Sequence, residues 1–287
     1  MSRFLEVGRD RAAALIGEQF PQWADLPLTR VEPGGSDHVI YRLGDVLSAR
    51  FPRHAGAVDQ ARHEARWLPR LAPQLPLAIP QTLAIGEPSR QYPWHWAVHR
   101  WLEGDAVTPE EYGDSIEAAQ TLAAFTAALR SFPVDGSAPP IALPLVQRDE
   151  VTRHNITLVS QDFDAVELTR IWDAGLAAPP WRGDPVWYHG DFHTGNLLAT
   201  DHQVTAVIDF GGLGVGDPAN DLMMAFTLFS PAPRAVFRDA LETDDATWGR
   251  SRAWALTTGL TAYTAYAATH PAIKRATTRQ ILAAVEG

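Results

Sequence analysis

Cysteine is absent from the 287 residues, lysine occurs once (Lys274), and no apolar run is long enough to span a bilayer. The first absence excludes a disulfide framework, a thiolate nucleophile and a cysteine metal site. The second hands every cationic role in the N-terminal half to arginine, a fixed, forked cation that grips phosphate well but is no casual exchange for lysine. The third leads to the expectation of no membrane partner. The N-terminus also lacks the apolar core of a signal peptide, so a cytoplasmic location is expected. A net charge of −10 lacks the concentrated positive charge that nucleic acid requires, so no nucleic-acid partner is expected either. There is no internal repeat, no low-complexity tract and no G-x-x-x-x-G-K-[ST] phosphate loop. What remains is 46% apolar and 20% charged, the composition of a globular chain with length for one large domain or two closely packed lobes.

The order of local patterns divides the chain. Residues 9–20 have helical apolar spacing, ended by Pro21 and Pro27. Strand-like pieces follow at Leu28–Val31, Val39–Leu43 and Val46–Phe51, separated by the turn sequences Pro33-Gly34-Gly35-Ser36-Asp37 and Gly44-Asp45. Residues 56–71 read as helix, and Ile79–Ile85 and Trp96–Trp101 as further strands. After Gly104 the pattern becomes helical. A helix start at Thr108-Pro109 is followed by helix over Ser115–Arg130, a proline-rich loop over 131–148 and two more helices to about Ala178. Short strands at Val186–Tyr188 and Val204–Ile208 bracket a loop, and helix opens at Asp217-Pro218. The expected class is α+β, with a small antiparallel-sheet lobe and hinge over 1–104 and a larger, mostly helical lobe over 105–287.

The bracketed loop holds the chemistry. His189-Gly190-Asp191 is followed five positions later by Asn196, and thirteen beyond that by Asp209 in Asp209-Phe210-Gly211. That layout suits phosphoryl transfer: one aspartate takes the proton of the attacking hydroxyl, while an asparagine and a second aspartate hold magnesium on nucleotide phosphates. Asp191 is the candidate base, with Asn196 and Asp209 as the candidate metal ligands. Leu198 and Ile208 flank them as apolar walls for an adenine.

Arg50, on the third strand, and Glu64, on the following helix, are candidates for a phosphate-holding cation and its orienting carboxylate. Ser36, in the Gly34-Gly35-Ser36-Asp37 turn, can donate to a phosphate oxygen. Asp217 reads as structural, bracing the catalytic loop, with Asp221 less defined. Tryptophans near 248–254 are candidates to line an acceptor pocket. A rival reading exists: His189, Asp191 and His193 alternate, and on a strand could bind zinc or iron in a metallohydrolase.

Taken together, H-G-D-F-H-T-G-N, I-D-F-G and G-D-P-A-N-D-L resemble the aminoglycoside phosphotransferase and choline kinase family, as do G-G-S-D-H-V-I-Y-R-L-G-D, S-A-R-F-P and A-V-H-R-W-L-E-G-D. The resemblance implies a bilobal protein-kinase-like fold, ATP (or GTP) and Mg2+ as cofactors, and a small-molecule hydroxyl as acceptor. It further implies backbone contacts to adenine at His99 and Trp101. Arginine stands at position 50 where lysine is usual. The expected function is a kinase of an aminoglycoside-like or other antibiotic acceptor, as monomer or homodimer. Glu242, Asp244 and Asp245 are candidates to hold a cationic acceptor. The alternatives are a metabolic kinase for a sugar or amino alcohol, and a nucleotide-binding protein with little transferase activity.

Overall fold

Alternation of apolar and polar residues along three neighbouring strands gives the N-terminal sheet two chemically different faces. The computed structural model describes residues 4–32, 34–136, 138–139 and 144–287. Pro33 of the first turn, and residues 137 and 140–143 of the proline-rich loop, lie outside the described residues. The chain separates into two compact units, one of Met1–Pro73, Leu77–Gly104 and Ala206–Gly211, the other of Gln74–Pro76, Asp105–Thr205 and Gly212–Gly287.

In the first unit, helix α1 (Arg9–Gln19) precedes strands β1 (Leu28–Arg30), β2 (His38–Leu43) and β3 (Leu47–Pro52). Helix α2 (Gln60–Leu71) comes next, then β4 (Thr82–Gly86) and β5 (Trp96–Arg100). The five strands form one antiparallel sheet in the order β1-β2-β3-β5-β4. The expected strand from Ile79 begins later, at Thr82, because Pro80 has no N–H to give the ladder.

Side chains alternate across such a sheet. One face presents Val39, Tyr41, Leu43, Ala49, Phe51, Trp96 and Val98 to Leu15 and Ile16 of α1, forming an apolar core. Phe51 stacks on Trp96 at 4.8 Å between ring centroids, and the Tyr41 hydroxyl donates to the Val7 carbonyl at 2.8 Å. The register Ile40↔Arg50↔Ala97 and Ser48↔His99 puts His38, Arg50 and His99 on the opposite face. Helix α2 buries Gln60, Glu64, Trp67, Leu68 and Leu71, one stripe at helical spacing that includes two polar residues.

The second unit opens with β6 (Asp105–Ala106), α3 (Pro109–Tyr112) and α4 (Ile116–Ser131), the last capped by Ser115 accepting from Ala118 N–H at 3.0 Å. Helices α5 (Asp149–Leu158) and α6 (Ala165–Ala177) follow. Strands β7 (Val186–Tyr188), β8 (Leu197–Thr200), β9 (Gln203–Val207) and β10 (Gly214–Gly216) carry the loop region. Helices α7 (Ala219–Leu222), α8 (Met224–Leu228), α9 (Pro231–Ala240), α10 (Asp245–Tyr266) and α11 (Pro271–Glu286) complete it. The long α10 packs against α11, α6, α7 and α5.

Three short strands lie outside the sequence expectation. β6 and β8 pair (Asp105↔Ala199), and β7 pairs with β10 (Tyr188↔Gly214). Two- to four-residue strands are defined by backbone pairing, and glycine-rich β10 has no side-chain alternation to reveal it. Among the described residues no helix is long and apolar enough to cross a membrane.

Candidate active site

A carboxylate on a buried helix stripe needs donors, and its own helix, a backbone N–H and the sheet face each provide a partner. Glu64 exposes 1% of its side chain. Its Oε1 accepts from Gln60 Nε2 at 2.8 Å and from the backbone N–H of Phe210 at 3.1 Å, with Arg50 Nη1 at 3.6 Å. Arg50 reaches a second carboxylate, its Nη2 lying 3.3 Å from Asp209 Oδ1. Gln60 Nε2 donates to that same oxygen at 2.7 Å. The first unit therefore brings Arg50, Glu64 and Asp209 together.

Charge in this cluster is divided unevenly. Burial works against the Arg50 guanidinium, but Asp209 and Glu64 outweigh it and hold it more firmly protonated than an ordinary arginine. Burial pushes the Glu64 carboxyl up from its ordinary value, against the opposing pull of Arg50 and of the Gln60 hydrogen bond. His99 and His38 are both lowered to about 3, by burial first and by Arg50 second, so each is a neutral imidazole. His99 Nε2 lies 3.2 Å from Thr82 Oγ1 and 3.6 Å from Glu64 Oε2.

Asp209 itself has φ 64°, a left-handed conformation that costs most residues energy and that Asp and Asn tolerate best. Ser36 is exposed and its hydroxyl donates to the neighbouring Asp37 carboxylate at 2.9 Å. Asp37 is in turn 3.1 Å from His54 Nε2. Trp101 N–H donates to the Val46 carbonyl at 2.8 Å. Ile208, half-buried, directly follows β9.

In the second unit the chain leaves β7 at Tyr188 and turns through Gly190, with φ +85°. A Cβ at Gly190 would come 2.0 Å from the Gly212 carbonyl oxygen, so this close approach demands glycine. Buried Asp221 accepts the backbone N–H of His189 at 2.6 Å and that of Gly190 at 2.9 Å. Burial pushes its carboxyl up, against those N–H groups and Arg130. His189 is fully buried, accepts the Asp191 N–H at its Nδ1 (3.2 Å) and packs on Phe192.

Asp191 exposes 54% of its side chain. Asn196 Nδ2 donates to the Asp191 carbonyl at 2.9 Å and to its Oδ2 at 3.0 Å, so these two residues also meet. With that amide nitrogen turned to Asp191, the end of Asn196 that can answer a cation is its oxygen, a hard donor of the kind magnesium takes. The carboxylate of Asp209 is another. Leu198, half-buried, sits on β8 opposite Ala106.

Two readings change. Asp221, rather than Asp217, braces the loop at His189 and Gly190, and Asp217 instead takes a two-point contact from Arg250 of α10, at 2.7 and 3.0 Å. Both aspartates stand near a helix start, and only tertiary packing distinguishes them. Two of the three acidic residues are engaged locally: Asp244 caps α10 by accepting from Thr247 N–H at 2.7 Å, and Asp245 pairs with Arg238. Trp248 is buried against Phe226 with Arg238 over its ring. The metallohydrolase reading finds no support, since among the described residues no three His, Cys, Asp or Glu side chains group to hold a metal. Sequence reasoning missed Gln60, His38 and the His99 side chain. The available signal for Gln60 was its place one turn before Glu64 on the stripe of Trp67, Leu68 and Leu71.

Comparison with known proteins agrees with this architecture. The phosphotransferase enzyme family (APH) is matched over residues 28–254. An aminoglycoside 3'-phosphotransferase of Escherichia coli is 27% identical over 231 residues, 75% of this chain and 79% of that protein. Among solved structures, the GDP complex of wild-type aminoglycoside 2'-phosphotransferase-IIIa matches with a TM-score of 0.76 at 17% identity, over 98% of this chain and 99% of that one. The apoenzyme of a macrolide 2'-phosphotransferase from Brachybacterium faecium matches with a TM-score of 0.61 at 25% identity, over 93% and 97%. The fold is that of the protein-kinase-like phosphotransferases. The chain belongs to the phosphotransferase enzyme family, as an enzyme with an alcohol group as acceptor.

Proposed function

We propose that this enzyme transfers the γ-phosphoryl group of ATP or GTP to a hydroxyl of an antibiotic, with aminoglycosides as the first acceptor class. The observation that carries the reading is the Asp191–Asn196 pair, in which the amide holds the carboxylate of the candidate base at 3.0 Å. Asp191 accepts the hydroxyl proton as the oxygen attacks. Its exposure suits a group that must meet a substrate, and Asp221 keeps its loop in place through two buried N–H donations.

Arg50 holds nucleotide phosphate oxygens and Glu64 orients it. Asn196 Oδ1 and the Asp209 carboxylate are the oxygen donors that would hold magnesium, which would supply positive charge against the phosphates. Adenine contacts fall to the backbone after β5. Because Trp101 N–H is directed to Val46, its carbonyl is the group that would accept from a base amino group. Ser36 is assigned to phosphate, which requires its hydroxyl to leave Asp37.

Identity to the Escherichia coli aminoglycoside enzyme supports the first acceptor class. Identity of 25% to the macrolide 2'-phosphotransferase supports macrolides as the second. The test is nucleotide consumption across aminoglycosides, macrolides, sugars and amino alcohols, with mass spectrometry of the products. A phosphorylated aminoglycoside or macrolide is expected. Phosphorylation of only a sugar or amino alcohol, or nucleotide hydrolysis with no phosphorylated acceptor, would overturn the proposal.

A further inference from the structure

Gln60 occupies a position that the proposed chemistry does not require but the geometry singles out. It is 8% exposed, on the same stripe of α2 as Glu64 and one turn before it. Its Nε2 donates to two different carboxylates, Asp209 Oδ1 at 2.7 Å and Glu64 Oε1 at 2.8 Å. Its carboxamide also packs over Gly211, where a Cβ would come 2.7 Å from Oε1. Glu64 accepts the Phe210 N–H between them. Asp209 and Phe210 are therefore each hydrogen-bonded from α2, and Gly211 lies close against the Gln60 carboxamide.

We propose that Gln60 is a positioning residue that fixes the Asp209 carboxylate for the divalent cation accompanying the nucleotide, an inference that rests on the kinase reading above. The side-chain type fits the task. Two amide hydrogens on one nitrogen can serve two acceptors, and a neutral group adds no charge beside a carboxylate that must meet a cation. Arg50 Nη2 lies farther from the same Oδ1, at 3.3 Å against 2.7 Å for Gln60, and its guanidinium is shared with Glu64. The left-handed backbone at Asp209 makes an external hold more necessary, because that conformation is unfavourable without one.

The experiment is a magnesium chloride titration of ATP binding to the full chain, followed by calorimetry or by a fluorescent nucleotide, with a metal-free arm alongside. Gln60→Met, near in volume but without donors, and Gln60→Glu, which replaces the donor with a third carboxylate, are compared with wild type. Melting temperatures establish that both variants fold, and Gln60→Ala serves if either does not. The expected result is a magnesium midpoint raised about tenfold in Gln60→Met, equivalent to about 1.4 kcal/mol, with metal-free ATP affinity within about twofold of wild type. A midpoint that stays within about twofold, whether or not melting falls, would reduce Gln60 to a packing residue and overturn the proposal. Wild-type protein that binds ATP without any magnesium dependence would instead remove the kinase reading beneath it, an outcome visible before any variant is made.

Discussion

Glu64 exposes 1% of its side chain and Asp191 exposes 54%. The first belongs to a buried polar cluster in which Arg50, Gln60, His99 and the Phe210 backbone all face one carboxylate or its neighbour. The second is an accessible side chain whose loop is held from behind, by Asp221, and from beside, by Asn196. The difference follows from the work each set is assigned. A phosphate-holding cation gains from a low-dielectric setting with fixed partners, where its electrostatic effect is strongest. A base must reach solvent and substrate, so its placement comes from the backbone beneath it.

Stability should therefore respond to the buried set and turnover to the exposed one. The largest stability effect is expected for Glu64→Ala, which leaves Arg50 with one carboxylate in a buried setting. Loss of one partner of such a pair costs about 3–5 kcal/mol. Chemical denaturation measures it, and a loss below about 1 kcal/mol would mean the cluster is far wetter than its burial indicates. Of similar size is Asp221→Ala, which orphans two backbone N–H groups at roughly 1–3 kcal/mol each. Asp221→Asn, with one accepting oxygen, should fall between it and wild type. If turnover survives Asp221→Ala unchanged, the loop does not depend on its brace.

A third contrast is in acid. His99 and His38 are lowered to about 3 from the ordinary 6.5, so the unfolded chain binds more protons than the folded one between those values. Their contribution is complete above pH 6.5 and is lost as pH falls toward 3, at about 1.4 kcal/mol per pH unit for each histidine. Glu64 and Asp221, raised by burial, contribute in the opposite sense, with stability lost as pH climbs through their folded values. His99→Gln should flatten the acid limb by about one proton, and an unaltered limb would show that His99 is not buried neutral. The smallest effect is expected for Arg50→Lys, which keeps the charge and loses the fork. The nucleotide KM should rise about tenfold at most, near 1.4 kcal/mol, with little change in fold stability.

The candidate site was readable where a proposed chemistry fixes spacing. Asp191, Asn196 and Asp209 stand out as candidates because their separations match the layout of a phosphoryl-transfer loop. The sheet was legible from alternation. Partnership between distant segments was not. Nothing local distinguishes Asp217, which meets Arg250, from Asp221, which meets the loop. Nothing in sequence order reveals that Ala206–Gly211 clusters with the first unit. Gln60 looks like any helix glutamine until the stripe of Trp67, Leu68 and Leu71 shows that its face is buried. The acidic residues at 244 and 245 suggested a cation site by composition, and their partners prove to be a helix N-terminus and Arg238.

The most direct measurement is Asp191→Ala, assayed in parallel for phosphoryl transfer to an accepted substrate and for equilibrium nucleotide binding. Removing a general base should lower transfer by about 10²–10⁴-fold while nucleotide affinity stays within about twofold of wild type. Transfer at the wild-type rate, or equal loss of transfer and binding, would contradict the assignment of Asp191 as the base.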